Sequence, residues 1–260
     1  NAAWCHPVLY QRLLKARQDH PGRRLVTIDP RRTATAEGAD LHLGIRPGTD
    51  ALLFAGLLDY LRRDDRLDYG FLERHLAGYG ETLAAARTTA PSLPAVAAAC
   101  GVAEGDLARF YRWFARTDKT VTAWSQGINQ SATGSDKVNA ILNVHLATGR
   151  IGKPGMGPLS LTGQPNAMGG REVGGLAQLL PGYRAVSNAQ HRAEVERHWG
   201  FAPGSIAPEP GLAVWQQIEA MERGHLDFWW VAATNPLVSM PSLDRVRAAV
   251  TEHDIELVVL

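Results

Sequence analysis

The chain has 260 residues, 45% of them hydrophobic, which is enough for one large domain or two modest ones with a core of their own. Its 27 basic and 26 acidic residues leave a net charge of +1, so no field draws it onto nucleic acid or an anionic membrane, and an anionic ligand must be held locally. There is no apolar run long enough for a membrane span, and two cysteines, Cys5 and Cys100, exclude a disulfide framework and a cysteine-rich metal site.

In chain order, the spacing predicts a helix over 8–15 and then a short β-branched strand, Leu25 to Ile28, that stops at Asp29-Pro30. A second extended piece is expected over 40–43. Thr49 is expected to N-cap a helix whose Leu53, Phe54, Leu57, Leu58 and Leu61 form one apolar stripe, closed by Arg62 and Arg63. Helical patterns recur over 72–76 and 104–114. Val121 to Trp124 reads as a strand followed by a polar loop over 125–131. A helix over 135–148, stopped by Gly149, presents Val138, Ile141, Leu142 and Leu146 on one face. Beyond the glycines a helix is expected to start near Val173, then a proline-rich polar connection. The remainder alternates helix 212–223, strand 228–232, helix 243–250 and strand 257–260, an α/β pattern. A composition change suggests a boundary near residue 175. Both ends read as cut from a longer protein, because Asn1 is preceded by no start signal and the last residues read as a strand in mid-course.

Nine of the 26 glycines fall between Gly149 and Gly175. Ordering glycine costs the most backbone entropy, so such a tract implies either a flexible linker or backbone brought close to a bulky ligand. Met156, Leu159, Leu161, Met168 and Val173 between the glycines favour the second. Open α/β sheets bind ligands beyond the carboxyl ends of their strands, and four such ends are polar here. After Ile28 come Asp29, Pro30, Arg31 and Arg32, a carboxylate for hydroxyl or purine N–H groups beside two guanidiniums for phosphate, or else a turn. Gly48, Thr49 and Asp50 open a helix and serve an anion or merely a cap, the cap being favoured. Gln126 and Gln130 belong to an amide-rich loop after Trp124 that suits a heterocycle or a turn. Asn235 follows the Trp-rich strand. Arg171 is an anion clamp or a tether, His145 reads as structural, and Cys5 reads as a small packed residue. Nucleophile-elbow, phosphate-loop and metal-ligand signatures are absent from the sequence.

Three strings carry a more specific signal: Trp124-Ser125-Gln126-Gly127-Ile128-Asn129-Gln130, the run from Leu146 to Gly155, and the run from Ser160 to Gly174 containing Thr162-Gly163-Gln164-Pro165-Asn166 and Gly170-Arg171-Glu172. With Asn1 to Pro7, Ile28 to Arg32, Pro47 to Asp50 and Ala233 to Pro236, they resemble the molybdopterin oxidoreductases of the dimethyl sulfoxide reductase superfamily. The likeness is greatest to catalytic subunits of bacterial assimilatory nitrate reductases. The resemblance covers essentially the whole chain and implies two Rossmann-like αβα nucleotide-binding domains, over 1–175 and 176–260. Each would grip one half of a molybdenum bis(molybdopterin guanine dinucleotide) that reduces nitrate to nitrite. It implies that Asn1, Ala2, Ala3, Trp4 and Cys5, with Ile28 to Arg32 and Gly48 to Asp50, hold one guanosine end, that Gln126 and Gln130 face its pterin, and that Asn235 contacts the other cofactor. Gln164 and Arg171 would line the substrate pocket. The family's 4Fe-4S cysteines and molybdenum ligand match no residue of this chain, which alone is therefore expected to be inactive. A donor such as ferredoxin, flavodoxin or an NADH-linked reductase subunit and a cytoplasmic location are implied too. Formate dehydrogenase is the alternative within the superfamily, and a dinucleotide-binding regulatory module the alternative outside it.

Overall fold

Helices dominate the first part of the chain. A computed structural model describes residues 1–164 and 166–260, which divide into the units Asn1–Gly163 and Gln164–Leu260. Pro165, within the string around Gln164, lies outside the described residues.

The first unit opens with α1 (Ala2–Cys5) and α2 (Pro7–Asp19), then β1 (Val26–Ile28), α3 (Ala34–Glu37) and β2 (Leu41–Leu43). The two strands pair in parallel with Ile28 opposite Leu43, so their carboxyl ends lie side by side. Next come α4 (Asp50–Arg63), α5 (Tyr69–His75), α6 (Tyr79–Thr89), α7 (Leu93–Cys100) and α8 (Glu104–Arg116). The stripe on α4 is the centre of the core: Leu53, Leu57 and Leu61 are fully buried against Val96, Leu107, Tyr111, Ile141 and Val144. Burying each such side chain contributes about 1.5–3 kcal/mol. β3 (Val121–Trp124), α9 (Gln126–Asn129), α10 (Gly134–Ala147) and β4 (Gly157–Ser160) complete the unit, β3 and β4 again pairing in parallel. The polar stretch after Trp124, expected as a loop, thus contains a helical turn. Its amides leave room for one because Ser125 O accepts from the N–H groups of Ile128 and Asn129.

The second unit contains α11 (Ala167–Glu172), the hairpin strands β5 (Leu179–Leu180) and β6 (Arg184–Ala185), α12 (Ala189–Trp199), α13 (Val214–Glu222), β7 (Phe228–Val231), α14 (Pro236–Ser239), α15 (Leu243–Thr251) and β8 (Glu256–Val259). β7 and β8 are parallel and, with α13 and α15, enclose a small core of Ile218, Met221, Trp229, Val231 and Val246. The helix expected to start near Val173 instead ends there. α11 is capped earlier, by the Asn166 side chain accepting the Gly169 N–H, and Gly174 leaves the helix at φ +83°. Three strand-helix-strand crossovers between parallel strands make the architecture α/β.

Candidate functional site

The opening segment, a helical turn, is tied to the start of the first crossover helix. The Ala3 N–H donates to Thr35 Oγ1 at 2.9 Å, and that hydroxyl donates to Asn1 Oδ1 at 3.0 Å, holding Asn1, Ala2 and Ala3 over the start of α3. Trp4 and Cys5 are exposed on α1, which buries no residue. Cys5 is therefore not the packed residue the sequence suggested: a four-residue helix with no partner on its outer face gives it nothing to pack against. Beyond Ile28, Asp29 accepts the Arg31 N–H at 2.8 Å while Arg31 and Arg32 stay exposed. Three buried polar atoms around this edge have no hydrogen-bond partner among the described residues: His6 Nε2, Thr27 Oγ1 and Thr33 Oγ1. Buried polar groups are normally satisfied, so the edge has unused capacity for a polar ligand.

The second edge follows β2. Gly48 takes φ +90°, which glycine accommodates, and turns the chain into α4. Thr49 occupies the N-cap position, but its hydroxyl donates to Arg46 O at 2.7 Å and caps nothing, contrary to the sequence expectation. The cap is replaced by charge: Asp50 begins α4, where a carboxylate complements the helix dipole, and pairs with Lys137 Nζ at 2.8 Å. Lys137 itself is only 5% exposed. The lysine was missed in the sequence, although its position four residues before Ile141 on the apolar face of α10 was a usable signal. After β3, Ser125 Oγ donates to Leu161 O at 2.8 Å and contacts the Gln126 amide, while Gln130 is exposed. A side chain at Gly163 would meet the Gln126 amide nitrogen at 2.9 Å, so the start of the glycine-rich string passes directly over Gln126.

In the second unit, Gln164 and Arg171 are exposed, and neither side chain makes a hydrogen bond or ion pair among the described residues. Asn235 is exposed beyond β7 at the N-cap of α14, and its side chain makes no capping hydrogen bond. Some glycines of the tract have an internal reason: a side chain at Gly149 would meet the Asp68 carboxylate at 2.5 Å, and one at Gly174 the Leu180 backbone at 2.8 Å. The tract is thus partly backbone packed against its own chain.

A cavity of about 590 Å³ beside Asp65, Arg66, Asp68, Asp118, Arg150 and Lys153 follows the far end of α4, about 21 Å along the helix from Asp50. Its three carboxylates and three cations balance. Among the described residues, no group of three or more His, Cys, Asp or Glu could hold a metal, and no helix is long and apolar enough to cross a membrane.

The family profile described as Molybdopterin oxidoreductase matches residues 1–260. The chain belongs to that family. Among relatives, a nitrate reductase of Synechocystis sp. is 44% identical over 252 residues, covering 97% of this chain and 35% of the relative. A periplasmic nitrate reductase of Desulfovibrio desulfuricans is 38% identical over 268 residues, covering 98% of this chain and 35% of the relative. The chain therefore spans about a third of the length of the curated relatives it matches. Among solved structures, acetylene hydratase from Pelobacter acetylenicus superposes with a TM-score of 0.65 at 20% identity, covering 97% of this chain and 36% of that one, which shows a shared fold. Membership of this family implies a molybdenum–pterin cofactor.

Proposed function

We propose that this chain is a portion of the catalytic subunit of a molybdenum-dependent nitrate reductase of the assimilatory type, reducing nitrate to nitrite and water with two electrons and two protons. The observation that carries this reading is the 44% identity, over 97% of the chain, to a protein named nitrate reductase. The bound molybdenum–pterin group supplies the two-electron chemistry, in the bis(molybdopterin guanine dinucleotide) form. The residues of this chain bind and orient. The carboxylates of Asp29 and Asp50 accept hydroxyl or purine N–H groups, the unpartnered Thr27 and Thr33 hydroxyls complete the guanosine end, and Arg31 and Arg32 face phosphate. Gln126 and Gln130 face the pterin, and Asn235 serves the second cofactor from the unit Gln164–Leu260. Arg171, exposed and without a carboxylate partner among the described residues, attracts nitrate and holds its oxygens in a planar fork, with Gln164 donating beside it.

The donor set around the first cofactor fits such a group, because its unpaired atoms are hydroxyl and imidazole rather than apolar surface. The 4Fe-4S cluster and the molybdenum ligand belong to parts of the protein beyond these residues. The electron donor is ferredoxin, flavodoxin or an NADH-linked subunit, and the compartment is the cytoplasm. The test is expression of the full-length protein with molybdenum and assay of nitrite with reduced viologen. Formate oxidation without nitrate reduction would assign the chain to a formate dehydrogenase instead. Arg171→Ala is expected to lower kcat/KM for nitrate by about 100-fold with molybdenum content near normal. Loss of the metal would make Arg171 structural.

A further inference from the structure

Lys137 lies in the first turn of α10 and is almost completely buried, yet it faces a single carboxylate, that of Asp50 at 2.8 Å from Nζ. A buried ion pair is a poor stabiliser, because desolvating both charges consumes most of their attraction and an apolar pair of the same volume would do as well. Its presence is better explained by orientation. The Lys137 ammonium engages Asp50 Oδ2, and Oδ1 accepts no hydrogen bond among the described residues, although the Asp50 side chain is only 16% exposed. The pair also ties two ligand-facing segments together. Gly134, which begins α10, sits so close to Asn129 that a side chain there would lie 2.5 Å from the Asn129 carbonyl oxygen, so the end of α9 packs directly on the start of α10. Through Lys137 the segment from Gln126 to Gln130 is anchored to the segment from Gly48 to Asp50.

We propose that Lys137 is a positioning residue for the nucleotide: it fixes the Asp50 carboxylate with one oxygen free for a guanosine donor and sets the distance between the two segments that hold opposite ends of one cofactor. This rests on the reading of Gly48 to Asp50 as a guanosine-binding edge. The test uses the full-length enzyme with Asp50→Asn, Lys137→Met, Lys137→Arg and the double variant Asp50→Asn/Lys137→Met. The quantity read is guanosine monophosphate released by acid per polypeptide, alongside molybdenum content and the melting temperature of cofactor-free protein. Lys137→Met is expected to lower released nucleotide about twofold or more, as Asp50→Asn does. The double variant is expected to lose no more than either single one, and Lys137→Arg to recover most of the loss. A purely structural lysine would lower the melting temperature while the folded fraction kept wild-type nucleotide, and that result overturns the proposal. Full nucleotide content in Lys137→Met combined with loss in Asp50→Asn overturns the proposal and leaves the guanosine edge standing. Full content in Asp50→Asn removes the edge itself, and the proposal with it.

Discussion

His145 lies wholly buried on α10, with Nε2 2.8 Å from Thr122 Oγ1 and its ring edge-on to Phe114. Burial first and the Arg150 cation second push its pKa down to about 4, so the folded chain holds it neutral. Between pH 6.5 and 4 the unfolded chain binds a proton that the folded chain refuses. The stability contributed by neutral His145 is therefore complete above pH 6.5 and lost as the pH falls through 4, on the order of 3 kcal/mol in all. Urea unfolding across that window should show the loss. Arg150 is itself buried, donating to Phe114 O at 2.8 Å and lying 4.9 Å from the Phe114 ring centroid. Arg150→Met is expected to cost about 2 kcal/mol through the abandoned carbonyl. It should also raise the His145 pKa, as read by NMR titration, while leaving it below the ordinary value because burial persists. A solvent-exposed His145 would show neither effect. The structural reading of His145 was available from its place on an amphipathic helix, but the cation beside it was not, since Arg150 enters from the turn beyond Gly149.

At the scale of elements, what was legible followed the strength of the apolar period. The α4 stripe announces itself because it buries one continuous face, while β1 and β3 are short runs only partly buried whose β-propensity gave them away. Of the missed helices, α7 does bury a short face of Val96, Ala97 and Cys100, but α6 and α12 have almost none. α6 buries only Ala86, and α12 is polar nearly all round, burying Val195 and Glu196 and relying on caps: Asn188 accepts two N–H groups at its start, and Gly200 takes the left-handed conformation at its end. β4 was hidden inside the glycine tract, where its Gly157-Pro158-Leu159-Ser160 sequence has little strand propensity and pairing with β3 decides the outcome. The end of α11 depends on Gly174, whose left-handed backbone abuts Leu180. Because the obstacle is backbone, a neighbour cannot swing aside, and Gly174→Ala is expected to cost about 1–3 kcal/mol, measurable as a lowered unfolding midpoint. Gly152→Ala meets no atom within 4 Å but shares a positive φ, so its smaller cost would isolate the backbone term from the clash.

For the molecule as a whole, the family was legible where the local structure was not, because long residue strings survive in positions whose periodicity is weak. The edges of the candidate site were legible for the same reason that strands are: each polar group follows a short strand-forming run. What joins the edges was not, since the partner of Asp50 comes from a helix much later in the chain and only packing of α10 on α4 brings Lys137 to it. With a chain that spans about a third of its relatives, the 260 residues alone are expected to form no nitrite in the viologen assay even when supplied with cofactor.

The division between Gly163 and Gln164 falls inside the glycine tract, so the Asp50–Lys137 pair and the glutamines after β3 are encoded on one side of it and Gln164 and Arg171 on the other. On the proposed reading, the residues for one guanosine end and those for the oxyanion therefore lie on opposite sides of one junction, with Asn235 of the second cofactor on the oxyanion side. A chimaera joined at this junction to the corresponding unit of a family member with another substrate is expected to keep guanosine monophosphate content while exchanging its substrate preference, and an unchanged preference would put the substrate residues on the other side of the junction.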